Sequence, residues 1–232
     1  MTTVPDLQSS QGKLQDHRVE TARRKREQMR SRILEATTKV FIQRDGDAPV
    51  IEDVVREAGI SRGAFYKHFS SLDEALVAAG VKANDRAIAD MLPVYDCLSE
   101  PWQRAAVGFR LHIVRASLDP RWAGLVTRLD AWPHESSIAT HMSKDLARGL
   151  ESGQFHFDDL DVTIDFVMGA SVGGVQAVLQ GLTDPVAYAD AAVRLLLQAL
   201  GCTPELRDRA VAFSRKHVTE WLEHKGSSWI SP

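Results

Sequence analysis

Basic, polar and aromatic side chains are concentrated in residues 61–68, S-R-G-A-F-Y-K-H. An arginine such as Arg62 can donate two hydrogen bonds to the edge of a guanine base, which distinguishes one base pair from another. Tyr66, Lys67 and His68 can reach phosphate oxygens, which hold a protein on a duplex without reading its sequence. These residue types in one short segment indicate DNA binding as the chemistry of the site.

Two short helices must position that segment. Residues 51–58 place apolar side chains at helical spacing, and Gly59 follows where a helix ends in a residue that tolerates positive φ. Ser61 can cap a second helix, in which Phe65 and Phe69 lie four apart and can pack onto the first. Two short helices joined by a tight turn form the helix-turn-helix pattern. The alternative is an ordinary corner between two helices of an all-α protein.

The distribution of charge supports a local DNA-binding surface. The chain has 232 residues and a net charge of −3. Residues 18–32 contain seven basic and two acidic residues, whereas residues 77–232 contain fifteen basic and nineteen acidic ones. This asymmetry suits a protein with one end facing phosphates. We predict a disordered basic arm over residues 1–22 and a helix opening at the basic cluster 23–26, which either touches DNA phosphates or is a solvated charge run.

Three segments of the chain resemble the tetracycline-repressor (TetR) family of transcriptional regulators. They are R-I-L-E-A…V-F…G over residues 32–46, V-V-R-E-A-G-I-S-R-G-A-F-Y-K-H-F over 54–69 and S-L-D-E-A-L over 71–76. The resemblance implies that the helix from Ser61 enters the major groove, with Phe65 and Phe69 in the core. The residues then expected at the DNA are Ser61, Arg62, Gly63, Ala64, Tyr66, Lys67 and His68.

Three departures from the family's pattern affect this contact list. Ala64 stands where the family usually has Thr, which removes a hydroxyl contact and leaves a contact with a thymine methyl group. Leu72 stands where many members carry a phosphate-binding Lys. Asp47 and the pair Pro49-Val50 replace the usual aromatic and hydroxyl residues before the second helix, which weakens its N-cap.

The rest of the chain predicts an all-α bundle. Proline and glycine punctuation divides it into helices up to residue 91 and over 102–118, 120–130, 134–150, 159–181, 185–200 and 204–224. The predicted domains are the arm at 1–22, a helix-turn-helix DNA-binding domain at 23–77, an effector-binding and dimerisation domain at 78–225 and a tail at 226–232. A helix from Ser71 towards Met91, opened by a capping box of Ser71 and Glu74, would link the two domains.

The resemblance implies that the helices at 159–181 and 185–200 pair with their copies in a second subunit. Small residues three and four apart allow helices to approach closely, and the apolar residues supply more surface than one protomer covers. The predicted interface residues are Gly169, Val172, Gly173, Leu196 and Leu200. Such a homodimer would read a palindromic, double-stranded operator.

The helices between residues 102 and 150 are where the family places a ligand pocket. Mostly apolar walls with a few polar anchors are typical of small-molecule pockets. The predicted ligand-binding residues are Phe109, His112, Trp122, Trp132, His141 and Met142, and core packing is the alternative for each. His134 and His141 lie two helical turns apart and could form a metal pair, but no cysteine or carboxylate stands at a matching close spacing. We therefore expect no metal and no cofactor.

The segment G-A-S-V-G at residues 169–173 matches the G-x-S-x-G nucleophile elbow of α/β-hydrolases. The preceding strands of that fold are not predicted, and only sixty-one residues follow Ser171. A tight helix-packing face is therefore preferred to a catalytic serine, and no enzymatic activity is expected.

The combined interpretation is a homodimeric repressor whose operator affinity is controlled by a small, largely apolar effector. Cys97 and Cys202 match no metal or disulfide pattern, and neither a signal peptide nor a membrane span is predicted, so the expected location is the cytoplasm. The alternatives are a constitutive DNA-binding dimer without ligand control and a serine hydrolase using Ser171.

Overall fold

The computed structural model describes residues 7–43, 49–127 and 137–225. Over these ranges every regular secondary-structure element is a helix, which confirms the predicted all-α class. A short 3-10 helix, Leu92–Tyr95, follows the fourth α-helix. The α-helices are α1 (Leu7–Gln43), α2 (Ile51–Ala58), α3 (Arg62–Tyr66), α4 (Leu72–Met91), α5 (Pro101–Leu118), α6 (Pro120–Val126), α7 (Ser137–Glu151), α8 (Leu160–Leu179), α9 (Pro185–Ala199) and α10 (Pro204–Lys225).

The N-terminal unit, residues 1–79, is built around the predicted helix-turn-helix. Gly59 ends α2 with φ of 61°, in the left-handed region that glycine adopts without steric cost. Its N–H donates to the Arg56 carbonyl, and the N–H of Ile60 donates to the Val55 carbonyl, so the last turn of α2 is closed. The core between the helices contains Ile33, Val40, Val54, Phe65, Phe69 and Ala75. The predicted pair of short helices with a glycine turn is confirmed.

The first helix is longer than the sequence predicts. It begins at Leu7, so residues 7–22, predicted as a disordered arm, are helical instead. No proline interrupts the segment, and the Glu20 carboxylate pairs with Arg23 and Arg24 one turn along, at 3.0 and 3.2 Å. Residues 1–6, the predicted helix end near residue 45 and the tail at 226–232 lie outside the described residues.

The C-terminal unit, residues 80–232, is organised around α5, which packs against α6, α7, α8, α9 and α10. Its side chains are buried on most faces, with Ala106, Val107, Leu111 and Ile113 fully enclosed. The predicted ends of α5, α8, α9 and α10 agree with the observed ones within about two residues. Residues 128–136 lie outside the described ranges, so the predicted ends of the two helices on either side are not tested there.

A buried arginine ties α5 to two other helices of this unit. The Arg110 guanidinium donates to Asp190 of α9 at 2.5 Å and to the Ser214 hydroxyl of α10 at 3.0 Å. Burial, with the nearby charge of Arg215, lowers the pKa of Arg110 to about 10. Because breaking a buried pair leaves an uncompensated charge, this contact fixes the register of α5, on which several cavity residues lie.

Helix α8 has 20 residues, and an 18-residue window within it has a mean hydropathy of 1.6, so by length and composition alone it could span a membrane. No such segment is predicted from the sequence. Ile164, Val167, Met168 and Val175 of this helix are buried in the core of the C-terminal unit, which accounts for part of its apolar composition.

Candidate DNA-binding face and ligand cavity

Local interactions fix the short helix α3. The Ser61 hydroxyl accepts a hydrogen bond from the Ala64 N–H at 3.1 Å, as an N-cap does. Phe65 and Phe69 are fully buried with ring centroids 5.8 Å apart, so one side of the segment is held in the core. Both phenylalanines are therefore core residues, as predicted.

The predicted DNA-contact residues lie on the opposite side of this segment. Ser61, Arg62, Gly63, Tyr66 and Lys67 are exposed. Ala64 and His68 are half-buried. Tyr66 has 52% of its surface exposed, so its ring and hydroxyl are accessible. We call these seven residues the outer face of α3, and their contact with DNA remains a prediction.

Basic residues of α1 lie beside the end of α3. The pKa of His68 is lowered by burial and then by the positive charges of Arg26, Arg30 and Lys67. The Arg30 guanidinium also lies 4.9 Å from the centroid of the Phe69 ring, which holds it in place. We call Arg26, Arg30, Lys67 and His68 the basic patch. In the sequence Arg26 and Arg30 stand out only as part of a charge run, although their spacing of four already puts them on one helix face.

The N-caps of α2 and α4, the helices before and after α3, differ in strength. Val50 precedes α2 and provides no side-chain cap, in agreement with the predicted weak N-cap. The Ser71 hydroxyl accepts from the Glu74 N–H at 3.1 Å, whereas the Glu74 carboxylate accepts from the Ser70 N–H at 2.6 Å. The capping box of α4 is thus present, with the return bond displaced by one residue from the predicted Ser71. Leu72 packs against the core of the unit.

A cavity of about 90 Å³ lies within the C-terminal unit. This is several times the roughly 10–15 Å³ that one water molecule needs, so the cavity can hold a small organic molecule. Its walls come from α4, the 3-10 helix, α5, α7, α8 and α9, together with Phe155 after α7. Most of the lining is apolar, as in small-molecule sites.

The predicted ligand-binding residues divide into three groups. Phe109, His112, His141 and Met142 line the cavity. Trp122 does not line it; the indole is buried, with its centroid 6.1 Å from that of His112. Trp132, with His134 of the suggested metal pair, lies outside the described residues. Binding by the lining residues stays a prediction.

Among the described residues, His112 is one of two buried polar residues of the cavity wall, together with Ser171. Its side chain is 7% exposed, and Nδ1 lies 3.1 Å from the Gly108 carbonyl oxygen, to which it donates. Burial lowers the pKa of His112, an effect the backbone bond to Gly108 only partly opposes. The imidazole is therefore neutral near pH 7, and its Nε2 has no hydrogen-bond partner in the described part of the chain.

Tyr95 and an ion pair supply the other polar groups. Burial, followed by the charge of Asp145, raises the pKa of Tyr95, so its hydroxyl stays protonated. Arg104 donates to Asp145 at 2.6 Å, and its guanidinium lies 4.8 Å from the Tyr95 ring centroid. Tyr95 is not among the residues predicted from the sequence, because a four-residue 3-10 helix after Met91 leaves no periodic signal.

Two of the predicted dimer residues are corrected by the structure. Leu196 and Leu200 are 3% and 0% exposed and line the cavity, so they belong to the core of one protomer. Gly169 and Gly173 are exposed and Val172 is half-buried, with nothing within 4 Å of a Cβ added at either glycine. The exposed apolar side chains beside them are Val162, Phe166 and Leu179 on α8, with Val186 and Leu195 on α9.

Ser171 lies in the middle of the continuous helix α8, not on the strand-to-helix turn that a nucleophile elbow requires. Its hydroxyl is buried and donates to the Val167 carbonyl at 2.8 Å. The match to G-x-S-x-G therefore does not form a nucleophile elbow, and the packing of its small residues against another helix stays a prediction.

Two family descriptions match the chain. "Bacterial regulatory proteins, tetR family" matches residues 33–79, and "Tetracyclin repressor-like, C-terminal domain" matches residues 100–210. The first range contains the outer face of α3, and the second contains most of the cavity wall. No curated protein matches the chain significantly.

Several crystal structures have a similar fold. RolR in complex with resorcinol is 22% identical, with a TM-score of 0.67 over 82% of this chain and 95% of that chain. A TetR family regulator from Shewanella sp. PV-4 is 15% identical, with a TM-score of 0.58 over 74% of this chain and 97% of that one. One from Marinobacter aquaeolei VT8 is 16% identical, with a TM-score of 0.55 over 77% and 98%. At these sequence identities, the similarity between the structures shows a shared fold alone.

Proposed function

Because the chain belongs to the TetR family of bacterial regulatory proteins, which bind DNA and carry a ligand-binding C-terminal domain, we propose that it is a homodimeric repressor. It binds a palindromic operator and releases it when a small, largely apolar effector enters the cavity. The observation that carries the DNA-binding assignment is the exposed outer face of α3, with the basic patch beside it. Such a protein acts in the cytoplasm, where it meets DNA.

The residues of α3 divide into base-reading and phosphate-binding roles. Arg62, at the first position of the helix, is placed to donate two hydrogen bonds to guanine, a pairing worth roughly 1–3 kcal/mol of discrimination. Lys67 and the arginines of the basic patch neutralise phosphates, which adds affinity without sequence preference. Gly63, whose added Cβ would meet only the Ser61 hydroxyl at 3.9 Å, leaves room for close approach of the backbone.

Two substitutions separate these roles. Arg62→Ala should relax specificity at one operator position, while Lys67→Ala should weaken binding to all sequences alike and lower the slope of log affinity against log salt by about one. Fluorescence anisotropy with the operator and single-base variants measures both. The reverse pattern would reject the assigned contacts.

The exposed apolar face of α8 and α9 supports the dimer. Val162, Phe166, Gly169 and Gly173 succeed one another at spacings of three and four on α8, and Leu195 is 66% exposed on α9. Exposed apolar side chains of this kind are costly to leave in water, and a two-fold contact would cover them in both copies. The two α3 helices of such a dimer would stand about 34–36 Å apart, one turn of DNA.

Helix α4 supports control by an effector. Ala75 and Ala79 of this helix are buried in the N-terminal unit, and Ile88 and Met91 line the cavity in the C-terminal unit. One continuous helix thus carries core residues of the N-terminal unit and lining residues of the cavity. An effector that prefers one of two states of α4 would shift the dimer away from the operator-binding state by its difference in affinity.

The fold that RolR presents with bound resorcinol suggests a first effector screen. Operator binding would be followed by anisotropy while resorcinol and other monocyclic compounds are titrated, with thermal unfolding to detect binding itself. The proposal expects at least one compound to raise the melting temperature and release the operator. A compound that binds without releasing the operator would favour the alternative, a constitutive DNA-binding dimer without ligand control.

A further inference from the structure

We propose that the cavity selects an uncharged, single-ring molecule carrying a hydroxyl group, which donates to Nε2 of His112 and accepts from the hydroxyl of Tyr95. This inference rests on the proposed function, because it gives the chemical class of the effector. It makes His112 and Tyr95 the residues that determine specificity.

The hydrogen bond made by His112 defines which ring nitrogen is available. A backbone carbonyl can only accept, so the contact with the Gly108 oxygen places the proton on Nδ1. Nε2 of the neutral imidazole is then an acceptor. A buried acceptor without a partner is unfavourable, and a ligand hydroxyl supplies the missing donor.

The neutral state of His112 limits the charge of the ligand. Burial and the charge of Arg115 both disfavour the imidazolium form. A neutral imidazole accepts from a hydroxyl but cannot pair with a carboxylate. Arg104 and Asp145, the charged pair in the wall, neutralise one another at 2.6 Å, so neither recruits a charged ligand without losing its partner.

Gly108 brings the second polar group to the same place. A Cβ added at this glycine would lie 2.3 Å from the Tyr95 hydroxyl oxygen, so only a glycine admits that hydroxyl here. The same residue's carbonyl accepts the bond from His112. The Tyr95 hydroxyl and the His112 imidazole thus both lie close to Gly108 in the wall of one cavity, and the proposal requires one ligand hydroxyl to bond to both.

The rest of the wall fits a single ring. Phe109, Met142, Leu146 and Val167 are among the apolar side chains around a cavity of about 90 Å³. His112 and Ser171 also border a second, narrower apolar space beyond the first, towards Val172 and Val175. The Ser171 hydroxyl already donates to Val167, so it does not compete as the main donor.

Phenol and toluene test the inference, since they have the same ring and nearly the same size but only phenol has a hydroxyl. Their affinities for the full-length protein would be measured by isothermal titration calorimetry. We expect phenol to bind at least about tenfold more tightly than toluene. Tyr95→Phe and His112→Phe should each lower the affinity for phenol about tenfold and leave the affinity for toluene within about twofold.

Ser117→Ala is the matched control, because it removes a hydroxyl of α5 that donates to the Ile113 carbonyl at 3.1 Å and does not line the cavity. It should keep the phenol preference of the unaltered protein. His112→Gln restores a hydrogen-bond acceptor at this position. It should recover part of the phenol affinity that His112→Phe loses. Unchanged melting curves would verify that each variant is folded.

Two results would overturn the inference in different ways. Equal affinity for phenol and toluene, unaffected by Tyr95→Phe and His112→Phe, would reject hydroxyl recognition and leave the effector cavity in place. Binding of neither probe, with no melting shift from any monocyclic compound, would reject the effector site of the proposed function along with it. Operator binding would be untouched in both cases.

Discussion

Nη1 of Arg62 lies 3.0 Å from Oε1 of Glu52, so the first residue of α3 forms an ion pair with the first turn of α2. Both side chains are more than half exposed. Exposed pairs of this kind contribute about 0–1 kcal/mol, whereas an arginine–guanine contact contributes roughly 1–3 kcal/mol. Arg62 can therefore exchange Glu52 for a base, and Glu52 competes with DNA for it.

Glu52→Gln should raise operator affinity about two- to fivefold, because the exposed pair is worth up to about 1 kcal/mol and a repulsive charge is removed. Anisotropy titrations at fixed salt measure the change. Glu57→Gln is the control, since it removes the same charge from α2 but releases Lys39, which it contacts at 2.5 Å. Glu52→Gln should raise operator affinity more than Glu57→Gln does, and this extra increase should disappear when Arg62→Ala is added. An extra increase that persists without Arg62 would contradict competition between Glu52 and DNA for Arg62.

Arg26→Gln should lower the slope of log affinity against log salt by about 0.9, as expected for loss of one phosphate contact. Arg24→Gln is the matched control. It lies two residues away on another face of α1 and pairs with Glu20 at 3.2 Å. The pKa of His68 should rise in Arg26→Gln, because a positive charge that lowers it is removed, and NMR titration would detect this. Equal slopes for the two variants would place the basic patch outside the DNA contact.

Phe166→Glu and Leu195→Glu should convert the dimer to monomer, since each places a charge in the proposed two-fold contact. Both side chains are more than half exposed in the protomer, so the fold of one chain should survive. Light scattering after size-exclusion chromatography gives the mass. Leu150→Glu, at a 43% exposed leucine on α7, should remain dimeric. Monomers from all three variants, or from none, would rule out this face as the interface.

The burial of His112 predicts a pH dependence of stability. Its folded-state pKa is lowered from the ordinary value of 6.5, so the unfolded chain binds the proton more strongly. The stabilisation is fully present above pH 6.5 and is lost as the pH falls below it, by at most about 1.4 kcal/mol per pH unit for one proton. The free energy of unfolding, measured with urea at pH 7.5 and 5.5, should differ less between the two pH values for His112→Phe than for the unaltered chain. An identical difference would mean that His112 does not drive the loss.

The helix-turn-helix could be predicted because its determinants are local. Gly59, Ser61 and the pair Phe65 and Phe69 each specify a turn, a cap or a buried contact within a few residues. The outer face of α3 could then be predicted as the side chains of this segment that do not pack in the core. The prediction for α1 was wrong at residues 7–22, because a polar segment without proline can continue a helix, here joined to the next turn by the pair of Glu20 with Arg24.

The interface and the cavity could be predicted only in part. Leu195 and Leu196 are adjacent and equally apolar, yet one is 66% and the other 3% exposed. This difference in exposure arises because α9 packs against α5 and α10. The sequence of α9 alone does not show which of its sides faces those two helices. The cavity lining likewise depends on how several distant helices meet, so Phe109 and His112 could be predicted from composition while Tyr95 and Gly108 could not.

Selection of bound duplexes from a random DNA pool tests the central claim most directly, because every possible operator sequence competes in the same tube. The full-length protein should enrich one palindrome whose half-sites are centred about one helical turn apart. Arg62→Ala should lose the base preference at one position of each half-site. Failure of the unaltered protein to enrich any sequence over random competitor, at both low and physiological salt, would contradict the assignment of the outer face of α3 to DNA.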